Sequence, residues 1–489
     1  MSGKMKTIFI EPPFPPGLWV ARDQAGKFGT LSSSQDALFP PLDFAYAGAI
    51  LEKNGFEFEI IDAPALNLDW KGLLHKVSKI RDPSFIIVNT SAITLPYDLI
   101  IINAIKKRKQ DSVIGVTGSL LSVWPEMAMK NPSIDIVIQS EVEFVILELL
   151  KALENDRLKD VNGITYRDDD GSIVRNPKRQ WDLNLDELPF PAYHRLPVKR
   201  YHYDRLPRRP FITMLTSRGC PYNCIYCPYP IAYGNLWRAR SCENVIEELQ
   251  YVVDKFGVKS VLFKDQVFTF DMKRAEEICD RILEHKLNIQ WICETRVDKL
   301  SEKLLLKMKK AGCTELHLGV ESGDPEILSA IGKRGVKIDT IKRVFKAAKN
   351  VGIKTVAFFI IGLPNETRHS IWKSYKLAIG LNADHVQFTI ITPYPGTKLY
   401  EIAERNNWIL CRDPSEYNLR NVVMRTDKLS GEDLIQAKKH IDNCLKAQGV
   451  YAQEILKPPL LASLVKKVLS TIARKAERQF RIWVEEEEP

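Results

Sequence analysis

Apolar residues in the first third of the chain fall into short continuous runs, separated by longer stretches with helical spacing. KTIFIE (6–11), FEFEIID (56–62), the β-branched DPSFIIVNTS (82–91), SVIGVTG (112–118) and IDIVIQS (134–140) read as strands. Between them PLDFAYAGAILEKNG (41–55, closed by Gly55), residues 96–109 and EFVILELLKAL (143–153) read as helices. Strand and helix alternating over short loops predict a parallel sheet covered on both faces. GITYRDDDGSIV (163–174) has an Asp-Gly turn between apolar stretches and predicts a hairpin. DELPFPAYHRLP (186–197), running on to about Pro210, reads as a proline-marked strap between domains.

The alternation then resumes. FITMLTS (211–217), VKSVLFKD (258–265), NIQWICE (288–294), CTELHLG (313–319), IKTVAFFIIG (353–362) and DHVQFTII (384–391) are strand candidates. Helical patterns cover 242–256, 272–286, 301–311, 337–351 and 366–380. Six such units in a row predict an incomplete parallel barrel, with reactive residues at the strand C-termini. The expected organisation is a sheet domain over 1–160, hairpin and linker over 161–210, barrel over 211–400 and a helical region over 401–489.

Composition narrows the class. A chain of 489 residues holds about two to four domains. With 45% hydrophobic and 27% charged residues it builds a globular core without disulfide staples. The net charge of +9 is mild at this length; it fits a nucleic-acid or anionic-membrane partner, or simply a basic surface. The opening MSGKMKTIFIEPPFPP lacks a signal-peptide core, and no run reaches the ~18 apolar residues of a membrane-spanning helix.

Six of the nine cysteines, at 242, 279, 293, 313, 411 and 444, are scattered, as in a reducing cytoplasm. The other three sit in TSRGCPYNCIYCPYP (216–230), directly after the first barrel strand. Structural zinc wants four ligands, usually as two close pairs, and no second pair exists. An iron–sulfur cluster is the alternative: three thiolates, Cys220, Cys224 and Cys227, leave one iron open to a small molecule. The carboxyl ends of the first sheet carry PPFPPG (12–17), TSAIT (90–94), TGSLLS (117–122) and SEVE (140–143). These loops suit either a ligand at the strand ends or plain turn chemistry.

The CxxxCxxC spacing, with the aromatic Tyr226 before the last cysteine, resembles the radical S-adenosylmethionine (SAM) enzymes. The resemblance implies a 4Fe–4S cluster whose open iron chelates SAM and whose reduction yields a hydrogen-abstracting deoxyadenosyl radical. DELPFP, WICETR (291–296), LHLGVESG (316–323), VESGDPEILSAIGKRG (320–335), IIGLPNET (360–367) and TPYPGTKLYE (392–401) extend it to the cobalamin-binding subgroup, which carries a Rossmann-like cobalamin domain before the barrel. By that resemblance Asp265 contacts the SAM amino group, Glu321 and Ser322 its ribose or adenine side, and Gly362 approaches adenine. Glu294 and Arg296, at the third strand's end, join the cofactor set. Each position has a plainer alternative: an ion pair for Glu294 with Arg296, and caps for Asp265, Glu321 and Ser322. Pro12, Pro13, Ser91, Thr94, Gly118, Ser119, Glu141 and Glu143 are the implied cobalamin-side residues.

Departures from the subgroup are visible. Leu121 replaces a loop histidine, Ser140 and Val142 replace glycines, and no DxHxxG stretch occurs. The resemblance then implies cobalamin without a lower histidine ligand, over an apolar face of Leu120, Leu121 and Trp124; loss of cobalamin is the other outcome. The implied function is a C-methyltransferase at an unactivated carbon of an apolar, lipid or other small substrate, reduced by a ferredoxin- or flavodoxin-type donor. Its rivals are a cyclase or C–C bond-forming enzyme of the same subgroup, and a non-catalytic regulator. No nucleic-acid module is expected, and oligomeric state is open. Leu460–Trp483 is a basic amphipathic segment. It either lies on the inner face of a membrane, peripheral to an otherwise cytoplasmic protein, or packs its apolar stripe on the barrel.

Overall fold

The computed structural model describes residues 5–32, 36–139, 141–448 and 462–486, with only the backbone described over 462–470. The β-branched runs form an N-terminal seven-stranded sheet in the order 173–175, 164–167, 136–138, 113–117, 84–89, 6–11, 58–62. Lys6–Glu11 pairs in parallel with Phe58–Asp62 on one side and Ser84–Asn89 on the other. The chain therefore reverses its direction of travel at this strand. Asn89 and Thr117 end neighbouring strands beside that switch point, where open α/β sheets hold ligands. Helices Leu42–Lys53 and Val142–Glu154 pack together on one face, and Trp70–Ser78 and Leu95–Lys106 on the other.

Two features depart from the expected layout. The hairpin Ile164–Arg167/Ile173–Arg175 extends the sheet antiparallel to Ile136–Ile138, so it belongs to the first domain rather than to the linker. Ile164 and Tyr166 bury against that sheet. Residues 12–32 and 36–38 also make an excursion over the strand ends. Trp19–Ala21 pairs with Thr30–Ser32, and Ala37–Leu38 pairs with His202–Tyr203 of the strap. Strands of two or three residues are too short to show a period.

The second sheet is six parallel strands in sequence order: Phe211–Met214, Ser260–Phe263, Gln290–Arg296, Cys313–Glu321, Lys354–Ile361 and His385–Ile390. Helices Cys242–Phe256, Met272–Glu284, Glu302–Lys310, Ile338–Asn350 and Arg368–Leu381 follow as the periodicity predicts. The sheet is an incomplete barrel, open between its first and last strands.

The C-terminal region is helical: Lys398–Arg405, Gly431–Ala447 and Ala462–Glu485. In the last helix Phe480, Trp483 and Val484 are buried. Phe480 meets Trp372 and Tyr375 of a barrel helix at centroid distances of 5.1 and 5.4 Å, and stacks on His440 at 5.5 Å. At this end the apolar stripe packs on the barrel, the second of the two arrangements expected, while Ile472 is exposed. The side chains of Leu460, Leu461, Leu464, Val465, Val468 and Leu469 lie outside the described residues. No helix among the described residues is long and apolar enough to cross a membrane. Phe480→Ala should cost about 3–5 kcal/mol in chemical denaturation, because it empties a fully enclosed aromatic site. A loss below about 1 kcal/mol would contradict this docking.

Candidate active site

The first barrel strand ends in the cysteine loop. Gly219 enters it at φ +78°, where a Cβ would overlap the Leu236 carbonyl, so only glycine makes this turn. Backbone bonds fix the loop on three sides. Cys220 N–H donates to the Gly234 carbonyl (3.2 Å), Ile225 N–H to the Ile331 carbonyl (3.1 Å), and Leu399 N–H to the Ile225 carbonyl (2.8 Å). Cys220 is buried, and Cys224 and Cys227 are half-buried. Burial pushes all three thiols up. Among the described residues no three His, Cys, Asp or Glu side chains converge on a single-ion site. Three free thiols in one loop are a ligand set for three irons of a cluster.

Cationic and polar groups from later strands surround the loop. Arg296 lies over the Tyr222 ring (3.8 Å) and pairs with Asp298 (2.9 Å), while its buried Nη1 has no partner in the protein. Lys333 is buried, donates to the Gly319 carbonyl (2.6 Å) and pairs with Glu321 (2.8 Å). This pair fills the space where Gly319 would carry a Cβ: the added atom would overlap Glu321 and come within 2.9 Å of Lys333 Nζ. Tyr226 is hydrogen-bonded to Glu321. Beyond the fifth strand, Glu366 accepts from the N–H groups of Gly362 (2.6 Å) and Leu363 (3.1 Å). Burial pushes its carboxyl up to about 8, and its second oxygen is unpartnered.

Other expected contacts are committed inside the protein. Asp265 is fully buried and accepts from Thr216 N–H (3.0 Å), Thr216 Oγ1 (2.7 Å) and Ser217 Oγ (2.5 Å), so it pins the start of the cysteine loop. Ser322 accepts from Asp324 N–H and meets Ser374, the turn-and-cap alternative. Glu294 does not pair with Arg296; it faces the barrel interior beside His317.

The N-terminal loops behave similarly. The Pro12 and Pro13 carbonyls accept from Arg22, which also binds Glu11, Thr94 and Asp98. Ser91 meets Thr94 at 3.0 Å, and both are buried. Gly118 and Ser119 begin a short helix, with the buried Ser119 hydroxyl unpartnered. Glu141 and Glu143 are each 2.5 Å from Arg218, two residues before Cys220, and Glu141 also meets Arg238 at 3.0 Å. Ser140 lies outside the described residues. Two arginines and two glutamates, all essentially unexposed, thus join the last parallel-strand loop to the cysteine loop.

Above this junction lies a cavity of about 1540 Å³. Its walls include Asp23 and Gly26 of the excursion, Asn89 and Thr117 at the strand ends, Tyr226 of the cysteine loop and Glu321 of the barrel. Lys264 of the barrel pairs with Asp23 across it.

Residues 214–378 match the model of the radical SAM superfamily. The chain is 36% identical over 398 residues to a protein of Pyrococcus horikoshii named uncharacterized methyltransferase, spanning 81% of this chain and 85% of that one. It belongs to the radical SAM family. The anaerobic magnesium-protoporphyrin IX monomethyl ester cyclase of Rubrivivax gelatinosus is 27% identical over 441 residues, 88% of this chain and 75% of the relative. In fold, the radical SAM methyltransferase TsrM of Kitasatospora setae, solved with cobalamin and a [4Fe-4S] cluster, superposes with a TM-score of 0.69 at 18% identity, covering 97% of this chain and 100% of that one. The likeness extends over the N-terminal sheet as well as the radical SAM barrel.

Sequence reasoning missed Asp23, Lys264, Lys333 and the Arg218 junction of this radical SAM protein. Lys264 stood beside the chosen Asp265, and Lys333 lay inside the quoted VESGDPEILSAIGKRG. Nothing in the chain signals that Asp23, 241 residues from Lys264, comes to meet it. Arg218→Met should cost about 3–5 kcal/mol of stability by thermal or denaturant unfolding, since Glu143 is left buried and unpaired. Wild-type stability in that variant would contradict the role of the junction.

Proposed function

We infer that the chain is a cobalamin-dependent radical SAM enzyme, a methyltransferase acting on an unactivated carbon of an apolar substrate. The observation that carries this is the single cavity bounded by the switch-point strand ends, the cysteine loop and the barrel interior. The residues fit the cofactors. Three thiols stand in one loop, beside a buried arginine nitrogen and a buried carboxyl oxygen without protein partners. When bound, the cofactors supply hydrogen-atom abstraction and a transferable methyl group; the protein supplies binding, orientation and electrostatics.

Cys220, Cys224 and Cys227 would hold the cluster. Arg296 Nη1 is a free donor for the SAM carboxylate, and Lys333 adds positive charge near the thiolates while orienting Glu321. Glu366 holds the Gly362 turn in place. On the other wall Asn89, Thr117 and the 21–26 segment would contact cobalamin largely through backbone and small side chains. Among the described residues no histidine lines that wall, which favours cobalamin without a histidine lower ligand. The apolar barrel wall, with Val356, Phe358 and Ile360, excludes water from the reacting carbon.

A cyclase-type reaction without methyl transfer is the second reading, favoured by the similarity to the Rubrivivax cyclase over 88% of this chain. A low-potential donor such as ferredoxin or flavodoxin would reduce the cluster. Any peripheral membrane contact would rest on residues 460–472, because Phe480, Trp483 and Val484 are buried while Ile472 is exposed.

Replacing Cys220, Cys224 and Cys227 together by Ala should remove about 4 irons per chain and abolish deoxyadenosine formation from SAM. Full iron content in that variant would overturn the cluster assignment. Anaerobic turnover with SAM, cobalamin and candidate apolar substrates should add the mass of one CH2 unit. A product that changes without such a gain would favour the cyclase reading.

A further inference from the structure

The cysteine loop has two faces. Tyr226, Pro228 and Tyr229 line the cavity. Pro221, Tyr222 and Asn223, between the first two cysteines of the loop, lie outside its lining: Pro221 and Asn223 are exposed and Tyr222 is half-buried. From Tyr222 an aromatic surface runs outward. Its ring meets Phe270 edge-on at 5.9 Å between centroids, and Phe270 meets Trp237 at 4.8 Å. Both are half-buried, and both lie outside the cavity lining. Leu236, next to Trp237, is 50% exposed, and Met272, two residues beyond Phe270, is 40% exposed. Aromatic side chains and Met are the types enriched where one protein surface meets another.

The rim of this surface is cationic. Arg296 stands over Tyr222 at 3.8 Å, Lys299 over Phe270 at 5.1 Å and Arg274 over Trp237 at 6.0 Å. Lys273 follows Met272 and is exposed. On the other side of the loop Gly332 abuts Asn223, whose carbonyl an added Cβ would overlap, and two residues on Arg334 is exposed. Among the described residues Lys273, Lys299 and Arg334 have no carboxylate within ion-pair distance. The acidic side chains nearby are fewer. Asp298 pairs with Arg296 at 2.9 Å, and Asp271 accepts from the Lys273 and Arg274 N–H groups at the start of their helix. Farther along that helix Glu276 is held by Lys303 and Glu277 by Arg281. Glu302, three residues beyond Lys299, is exposed. The balance stays positive, with Arg274, Arg296, Lys273, Lys299 and Arg334 against Asp271, Asp298 and Glu302.

An electron bound for a cluster on Cys220, Cys224 and Cys227 comes from outside the chamber, and this is the solvent face of the loop that carries them. We propose that the Tyr222–Phe270–Trp237 surface docks a small electron-carrier protein with an acidic face around its own redox centre. One electron passes from the reduced centre of the carrier, which is oxidised, to the cluster, which is reduced; no bond forms or breaks. The aromatic rings and Leu236 give the contact its apolar centre, while the cations steer the carrier and set its orientation. A small interface suits a redox partner, whose encounters are weak and short-lived. The surface deepens the function proposed above by naming its partner, and its meaning as the point of electron entry rests on that reading.

The test uses the full chain with its cluster reconstituted, and a reduced ferredoxin of acidic surface as the probe. Cluster reduction is followed by stopped-flow absorbance and ferredoxin binding by calorimetry. Reduction should slow as salt is raised, because the attraction is screened. Lys273→Glu combined with Arg334→Glu should slow it at low salt by at least about tenfold and weaken ferredoxin binding by a similar factor. Both positions are exposed, and an acidic residue in the first turn of Met272–Glu284 suits the helix dipole, so the variant should keep the parent's melting curve. Reduced methyl viologen, a small cation that needs no docking surface, should reduce the variant's cluster no more slowly than the parent's. The same charge change on the last helix, Lys475→Glu with Arg478→Glu, should leave the ferredoxin rate near that of the parent. An unmoved ferredoxin rate and affinity in the Lys273→Glu, Arg334→Glu chain, or an equal slowing by the last-helix pair, would overturn the docking surface. So would a viologen rate that falls together with the ferredoxin rate, which would place the defect at the cluster. A chain that takes electrons from ferredoxin as stated yet never cleaves SAM would sink the function above and leave the surface standing.

Discussion

Arg218 decides where the cysteine loop sits relative to the first domain. It is 2% exposed and held by Glu141 and Glu143, which belong to the loop after the last parallel strand of the N-terminal sheet. Burying these charges is expensive, and such clusters add little net stability compared with apolar packing. What they add is register: the Arg218 and Arg238 guanidinium groups meet Glu141 at 2.5 and 3.0 Å, and Arg218 also meets Glu143 at 2.5 Å. Because Arg218 is two residues from Cys220, that register passes directly to the thiols. Tyr46, Phe144 and Tyr233 stand around the guanidinium at 5.1–5.8 Å and keep water from it.

A cofactor on the sheet and a cofactor on the barrel react only if their domains are held in fixed apposition. The junction holds one side of the cavity, and the Lys264–Asp23 pair holds the other. The excursion over residues 12–32 is the piece that makes this closure possible. It covers the strand ends, inserts Arg22 beneath the prolines and sends Asp23 across to the barrel. Such an excursion costs little in chain entropy, since loop closure grows slowly with length.

The parts of the fold that were legible in the sequence are those with long periods. Cys242–Phe256 and Lys6–Glu11 fall where the pattern puts them, because a buried strand or an amphipathic helix repeats its signal. Trp19–Ala21 and Ala37–Leu38 leave none. In the site, the cysteines were legible because their spacing is the chemistry. Asp265, Ser322, Glu141 and Glu143 were expected as ligand contacts, and each is bonded to other groups of the protein. A carboxylate there reads the same whether it faces a cofactor or an arginine from another domain, and Arg218 lies 77 residues from Glu141. Sequence adjacency carries no trace of that pairing. The inward His317 lay inside the quoted LHLGVESG but was not singled out, although a polar residue inside a barrel strand stands where apolar side chains are usual.

The central claim is that the sheet-borne and barrel-borne cofactors share one chamber. Its most direct test is magnetic: load the anaerobic protein with cobalt(II) cobalamin and a reduced cluster, and record the cobalt resonance with the cluster paramagnetic and with it oxidised. The account predicts faster relaxation or splitting of the cobalt signal only when the cluster is reduced, and loss of that effect in the triple cysteine variant. A cobalt signal identical in both states, with both cofactors bound in full, would contradict it.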